Sequence, residues 1–381
     1  MGEEQELDDG AKSAEPKAGV APLASLGSVT VVVCNHNGET YLPRCLDAIL
    51  GLAGVDEVLV ADDASTDASL GLLRRDYPTV GIVALAENRG PGAARNAGMR
   101  AARNEWVLAV DNDAVLEPDT LAKLLKARAS HPDAVALQPR SVVDSDPDCV
   151  HYDSGSFHYV GLLALRNFFR PLAEARAGDP EGGVVEVDAL IGIAPLVNRD
   201  ALLSVGGYDE DLFYLAEDFD LALRLRLAGM RIVAVEDAIV RHRGGTEGLS
   251  FRGGGYPERR AYLHARNRWI LMAKCFRTRT LFVAAPGILL YESVFTLFAL
   301  LEGNLMAHMR GKRDFFFTIG TTLRKRRSVQ GYRRVSDRSL LVGGPLTFSP
   351  SLLSSAPRRI FAKALNSALA AWWRCVRALA G

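Results

Sequence analysis

The chain has 381 residues, 48% of them hydrophobic, which is enough for one large domain or two around a sizeable core. Lys plus Arg and Asp plus Glu each number 45, so whole-molecule charge makes no case for nucleic acid, and no such partner is expected. The five cysteines (Cys34, Cys45, Cys149, Cys275, Cys375) are odd in number and scattered, without a Cys-x-x-Cys pair, which excludes a disulfide framework and a zinc ribbon and fits a reducing cytosol.

Residues 1–26 open with Glu3, Glu4, Glu6, Asp8, Asp9 and Glu15 among few large apolar groups, and read as a disordered acidic tail. A secretory leader needs the opposite, a basic start followed by an apolar run. Val29 to Val33 is a β-branched strand broken by Asn35-His36-Asn37-Gly38, and Tyr41 to Leu50 has helical spacing. A second strand, Glu57 to Ala61, ends in Asp62-Asp63, with Ser65-Thr66-Asp67 placed to cap a helix through Leu73. A third, Val80 to Ala84, precedes Asn88-Arg89-Gly90-Pro91-Gly92 and a helix from Ala93 to Arg103. The fourth strand is Trp106 to Val110. This alternation predicts an α/β fold with a doubly wound, mostly parallel sheet, and no repeat of solenoid length is visible.

Two carboxylates, Asp111 and Asp113, emerge where the fourth strand gives way to a loop, the edge at which open α/β sheets bind ligands. On extended backbone they share a side while Asn112 points away, and two hard oxygens there suit Mg²⁺ or Mn²⁺ with a substrate phosphate. A solvated Asx turn is the plainer reading of the tripeptide alone. Gly90-Pro91-Gly92-Ala93-Ala94-Arg95 lacks the last glycine of a dinucleotide fingerprint, and there is no Walker loop. That segment can still bring a helix start and Arg95 to anionic groups.

A second constellation is Gly206-Gly207-Tyr208-Asp209-Glu210 followed by Ala216 to Arg224. Helical spacing of Leu221, Leu225 and Ala228 puts Glu217, Asp218 and Asp220 in a first turn, either as caps or beside a substrate. The strand Ile232 to Val235 and then Ala238 to Gly245 bring in His242, flanked by Arg241 and Arg243.

Together these residues resemble the family 2 glycosyltransferases of GT-A fold, and within them the bacterial rhamnosyltransferase and polysaccharide branch. The likeness runs from about Val29 to Gly245 and rests on the order of Val31 to Gly38, Asp62 to Asp67, Asn88-Arg89-Gly90 with Ala94 to Gly98, Asp111-Asn112-Asp113 and Glu217-Asp218. His36 and Asn112 depart from the residues usual there. The resemblance implies that Asp111, Asp113 and His242 hold Mg²⁺ or Mn²⁺. It implies that Asn35, Asp62, Asp63, Arg95 and Asn112 line the donor nucleotide site, with Asp62 or Asp63 on the base. Asp218 is implied as the general base of an inverting transfer from a nucleoside diphosphate sugar to a lipid-linked or polysaccharide acceptor. Glu217 and Asp220 are implied as cap or acceptor-binding groups. A metal-dependent nucleotidyltransferase and an inactive scaffold of the same fold are the alternatives.

The division expected is a glycosyltransferase domain at 27–250 and a helical region at 251–381. Leu281 to Leu301 is apolar apart from Glu292, and from Pro286 onward a helix reaches only about 24 Å, short of a bilayer core. Basic clusters flank it on both sides, against a single crossing. Helices lying on the cytoplasmic face of an anionic membrane are therefore favoured over a buried hairpin, a dimer interface or a span. Trp372, Trp373, Arg374 and Arg377 read as an interfacial anchor, and a truncation ending near Arg268 is expected to keep donor binding.

Overall fold

The computed structural model describes residues 28–245, 249–250 and 255–381, so the expected acidic tail at 1–26 lies outside the described residues. The first half alternates as expected through β1 (Val29–Asn35), α1 (Leu42–Leu50), β2 (Val55–Asp62), α2 (Ser69–Asp76), β3 (Gly81–Ala84), α3 (Pro91–Ala101) and β4 (Trp106–Asp111). Then follow β5 (Ala114–Leu116), α4 (Thr120–Ser130), β6 (Ala134–Val143), β7 (Asp146–Tyr152), β8 (Ser154–His158), β9 (Leu162–Arg166) and α5 (Leu172–Ala177). The chain continues through β10 (Val184–Val187), β11 (Leu196–Asn198), α6 (Arg199–Ser204), α7 (Glu217–Leu227) and β12 (Arg231–His242).

The main sheet runs β10-β12-β6-β11-β4-β1-β2-β3, with β5 on β12 and β7 on β6. β4, β1, β2 and β3 are parallel to one another, as are β6 and β12, and antiparallel β11 joins the two halves. It is a mixed α/β fold with a mostly parallel sheet covered by helices on both faces. Covering explains the composition of β1: Val31 and Val33 point into one core with Leu46 of α1 and Leu124 of α4, while Val32 points into the other with Met99 of α3. Small residues let α3 lie close on the sheet. A Cβ on Gly98 would sit 2.3 Å from Val32 Cγ1.

Boundaries moved for identifiable reasons. The helix that Ser65-Thr66-Asp67 is expected to cap starts at Ser69 behind Ala68, and Ser65 does not cap it, its hydroxyl donating to Asp62 Oδ1 at 2.6 Å. α3 starts two residues before Ala93, with Pro91 in its first turn, where its missing N–H is no loss. The two strands expected around His242 are one, β12, whose register slips between Val235 and Ile239. At that slip Glu236 turns inward to Arg140 and Arg166.

The C-terminal third comprises α8 (Glu258–Cys275), α9 (Thr278–Leu301), α10 (Leu305–Phe317), α11 (Ile319–Tyr332), α12 (Asp337–Leu340), β13 (Leu341–Val342) and α13 (Ala356–Val376). α9 does not begin at Pro286 but runs through it, and at 24 residues it is about 36 Å long. The length argument against a crossing therefore falls; among the described residues α9 is the one helix long and apolar enough to span. Packing supplies a different argument. Ala284, Ile288, Tyr291 and Phe295 form a buried stripe, and Glu292 accepts from Trp269 Nε1 at 3.0 Å and pairs with Lys312 at 2.6 Å and with Arg268. One face of α9 is thus committed to protein.

The expected anchor in α13 is also packed. Trp373 stacks on Tyr159 with centroids 4.7 Å apart, the Tyr159 hydroxyl donates to Leu369 O at 3.0 Å, and Trp372 Nε1 donates to Val283 O at 3.0 Å. One continuous core joins Val32 and Ala61 of the sheet to Ile288, Leu369 and Trp373. The change at residue 250 is a change of element type inside one core.

Candidate active site

Asp111 ends β4, and the chain turns through Asn112 and Asp113 into β5, which pairs antiparallel with the end of β12 so that Ala114 faces His242. The two aspartates therefore converge across a turn, not by alternation along extended backbone. Asp111, Asp113 and His242 each offer a ligand atom, all within 4.8 Å of one another, and His242 Nε2 lies 3.2 Å from Asp113 Oδ1. Two carboxylates and an imidazole form a donor set that fits a divalent cation. Burial pushes the Asp111 carboxyl up to about 6, against the lowering effect of Arg95. Burial acts the same way on Asp113, but the His242 hydrogen bond and charge outweigh it and hold Asp113 below the usual carboxylate range.

Arg95 is the hub of the site and is not open to a phosphate. From the second turn of α3 its guanidinium reaches Asp111 Oδ1 at 2.6 Å, Gly192 O at 3.0 Å and Asp218 Oδ1 at 3.2 Å, with Glu217 at 3.7 Å. The donor-binding role expected for it is replaced by charge compensation of three carboxylates in a nearly closed site. Asp218, 23% exposed at its side chain, also accepts the Gly192 amide at 2.9 Å through Oδ2. Both its oxygens are thereby aimed. Glu217 is deeper, and burial first and the Asp218 charge second raise its pKa toward the neutral form. Asp220 departs from expectation altogether: fully buried, it binds Arg224 at 2.7 Å and Lys274 at 2.6 Å and belongs to the core. None of the three acts as the side-chain cap of α7.

The loop that presents Glu217 and Asp218 holds a conformation L-residues rarely adopt, with φ of 61° at Phe213, 65° at Leu215 and 75° at Ala216. Two outside groups hold it. Asn267 Nδ2 on α8 lies 2.8 Å from the carbonyl oxygens of Leu212, Tyr214 and Leu215. Gly90, at φ 88°, approaches so closely that a Cβ there would sit 2.1 Å from Phe213 O.

On the donor side the expected residues come together at the ends of β1 and β2. Asn35 donates to Asp62 Oδ1 at 2.7 Å and accepts from Asn112 Nδ2 at 2.7 Å, while Asp62 Oδ2 accepts the Ser65 amide at 2.9 Å. Asp63 accepts the amides of Arg89 at 2.8 Å and Gly90 at 2.7 Å. Both aspartates are enclosed and brace loops in this state. Exposed groups at this edge include His36, Asn37, Asn88 and Arg89, with Asn88 Nδ2 2.9 Å from His36 Nε2.

A helix-covered, mostly parallel sheet with a carboxylate and imidazole site at its strand ends, beside an arginine-bridged carboxylate pair, defines a GT-A type glycosyltransferase. The model of glycosyl transferase family group 2 matches residues 106–372, that of glycosyl transferase family 2 matches residues 30–176, and the chain belongs to this family. It is 29% identical over 232 residues to an N-acetylglucosaminyl-diphospho-decaprenol L-rhamnosyltransferase of Mycobacterium tuberculosis, spanning 56% of this chain and 75% of that one. It is 38% identical over 120 residues to the succinoglycan biosynthesis protein ExoO of Rhizobium meliloti, spanning 31% of this chain and 34% of the relative. In structure it is similar to GalNAc-T7 crystallised with UDP, GalNAc and Mn²⁺, with a TM-score of 0.53 at 16% identity over 68% of this chain and 51% of the other, a likeness of fold.

Proposed function

We propose that this chain moves a sugar from a nucleoside diphosphate donor to a lipid-linked or polysaccharide acceptor with inversion, Asp218 serving as general base. The convergence of Asp111, Asp113 and His242 beside Asp218 carries this reading. A cation held by the three would neutralise charge on the departing diphosphate. Two carboxylates with a borderline imidazole suit Mn²⁺ at least as well as Mg²⁺. Asp218, fixed by Arg95 and the Gly192 amide, takes the proton from the acceptor hydroxyl. Asn35, Asn112 and the Asp63 loop shape the donor side. In relatives, the mycobacterial name specifies a lipid-linked acceptor, which supports that class here. Membership of a glycosyltransferase family displaces the nucleotidyltransferase alternative, and an intact carboxylate set weighs against an inactive scaffold.

Asp113→Ala is the direct test. It removes one of three ligands and is expected to weaken Mn²⁺ and nucleotide-sugar binding together by tenfold or more, measured by calorimetry, with an unfolding temperature close to wild type. Donor affinity indifferent both to chelator and to this substitution would overturn the metal reading.

The membrane reading is also part of the proposal, in altered form. Among the described residues, large apolar side chains left exposed are Leu50 and a set confined to Phe282 through Leu379, with Leu297, Leu301, Met306, Phe316 and Phe317 prominent. The expected basic surface is partly internal: Lys312 pairs with Glu292, Lys325 with Asp209 and Asp211, and Arg333 with Asp337. Arg310, Arg313, Arg324, Arg327, Arg334 and Arg338 remain exposed on the same C-terminal stretch. We assign that face to a cytoplasmic leaflet, with apolar insertion contributing more than charge. Each buried Phe is worth about 1.5–3 kcal/mol. Full-length protein is expected to co-sediment with anionic vesicles, high salt to release it only in part, and Phe316→Glu with Phe317→Glu to leave most of it in the supernatant. Wild-type protein that stays in the supernatant while self-associating would give the face to a second copy of the chain.

A further inference from the structure

The cation site explains Asp111, Asp113 and His242 but not the group behind His242. His151, next to last in β7, is 4% exposed, and its ring lies against Tyr152 at 4.0 Å and edge-on to Phe169 at 5.6 Å between centroids. Its Nδ1 is 3.0 Å from Nδ1 of His242, with the two rings 5.0 Å apart and 29° from parallel. Two imidazole nitrogens at hydrogen-bond distance share one proton, so one ring donates and the other accepts. The direction of that bond decides what Nε2 of His242 can do.

If His242 carries its proton on Nε2, that atom donates to Asp113 Oδ1, 3.2 Å away, and Nδ1 accepts from His151. If the proton is on Nδ1, His242 donates to His151 and turns an Nε2 lone pair toward Asp111 and Asp113. Only the second form can ligate a cation. Metal-binding histidines usually give their remote N–H to a carboxylate, a carbonyl or water, and here a second imidazole stands in that place.

We propose that His151 is a positioning residue that accepts the Nδ1 proton of His242 and so makes Nε2 a metal ligand. The inference rests on the cation reading of the Asp111, Asp113 and His242 site. Changing form conserves protons. His242 loses one at Nε2 and takes one at Nδ1, while His151 gives up its Nδ1 proton and takes one at Nε2, so the pair holds the same number of protons in both forms. Because the His151 ring is gripped by Tyr152 and Phe169, the acceptor is fixed before the cation arrives.

The test measures Mn²⁺ binding to full-length protein without donor, by the loss of the free-ion paramagnetic resonance signal. His151→Phe keeps a stacked ring and removes the acceptor, and is expected to weaken Mn²⁺ about 10- to 100-fold, the range for such outer-shell groups. His151→Gln offers an amide carbonyl and is expected to remain within a few-fold of wild type. Phe binding as tightly as wild type, or Gln as weakly as Phe, overturns the proposal. Wild-type protein that binds no Mn²⁺ sinks the cation reading itself, a distinct outcome. Nitrogen-15 spectra of histidine-labelled wild-type protein give a readout independent of any variant's folding. At saturation with diamagnetic Mg²⁺ the His242 proton should sit on Nδ1, and a proton on Nε2 at saturation overturns the proposal.

Discussion

Asp218→Asn is expected to lower sugar transfer by about 10²-fold or more while donor binding persists. The size follows from what the substitution removes. Asp218 Oδ1 faces an Arg95 guanidinium nitrogen at 3.2 Å and Oδ2 faces the Gly192 amide at 2.9 Å, so both partners are donors that reward a carboxylate. An asparagine presents one acceptor and one donor, keeps the volume, and cannot take the acceptor's proton. Its NH₂ must also face one of two donors, so some loosening of Arg95 accompanies the chemical loss. Neighbours offer no replacement base. Glu217 is pushed toward its neutral form first by burial, a cause the substitution leaves in place, and Asp220 is enclosed by Arg224 and Lys274. Turnover with donor and acceptor, set beside donor affinity by calorimetry, checks the claim. A near-normal rate would show that the base lies outside α7.

The parallel half of the sheet and most of the site were legible because both are written locally. Each of β1, β2 and β4 contains a run of four or five apolar residues that ends in a polar one, so the sequence places Asn35, Asp62 and Asp111 at one edge before any tertiary contact is known. Asp111, Asp113 and His242 do meet. What the sequence hides is which side of each charge faces protein. Arg95 reads as a phosphate-binding group near a helix start, yet it is closed in by Asp111, Asp218 and Gly192, which come from segments up to 123 residues away. Asp220 looks equivalent to Asp218 two positions earlier, but the helix turns it toward Lys274. Asn267 and His151 carry no local mark at all, since an asparagine within an Arg-rich helix and a histidine in an edge strand acquire meaning only from the loop and the ring they touch. The tryptophans of α13 mislead for a related reason, because a ring that packs on Tyr159 and one that enters an interface have the same amphipathic spacing.

A chain ending near Arg268 is expected not to fold, against the sequence expectation that it keeps donor binding. The cut removes Lys274, whose ammonium pairs with Asp209 and with Asp220, two buried carboxylates on the segments that frame the Asp218 loop. Removing one partner from such a buried ionic cluster typically costs about 3–5 kcal/mol. It also removes Trp373, stacked on Tyr159, and β13, whose Leu341 and Val342 pair with Phe157 and His158 of β8. Losing a large buried aromatic partner adds about 3–5 kcal/mol. Phe276, Ile288 and Leu369 leave the same core that contains Phe219 and Leu225 of α7. These losses together equal or exceed the roughly 5–15 kcal/mol by which a domain is stable, even with incomplete additivity. Asn267 would stay in the fragment, but the helix that carries it would lose its cover from α10 and α11, and the strained turn at Phe213 to Ala216 would lose its clamp. The fragment should therefore show no cooperative thermal transition and no binding of nucleotide sugar. If it instead unfolds cooperatively and binds donor with near-wild-type affinity, residues 27–250 stand as an autonomous domain and the helices after Arg268 only ride on it.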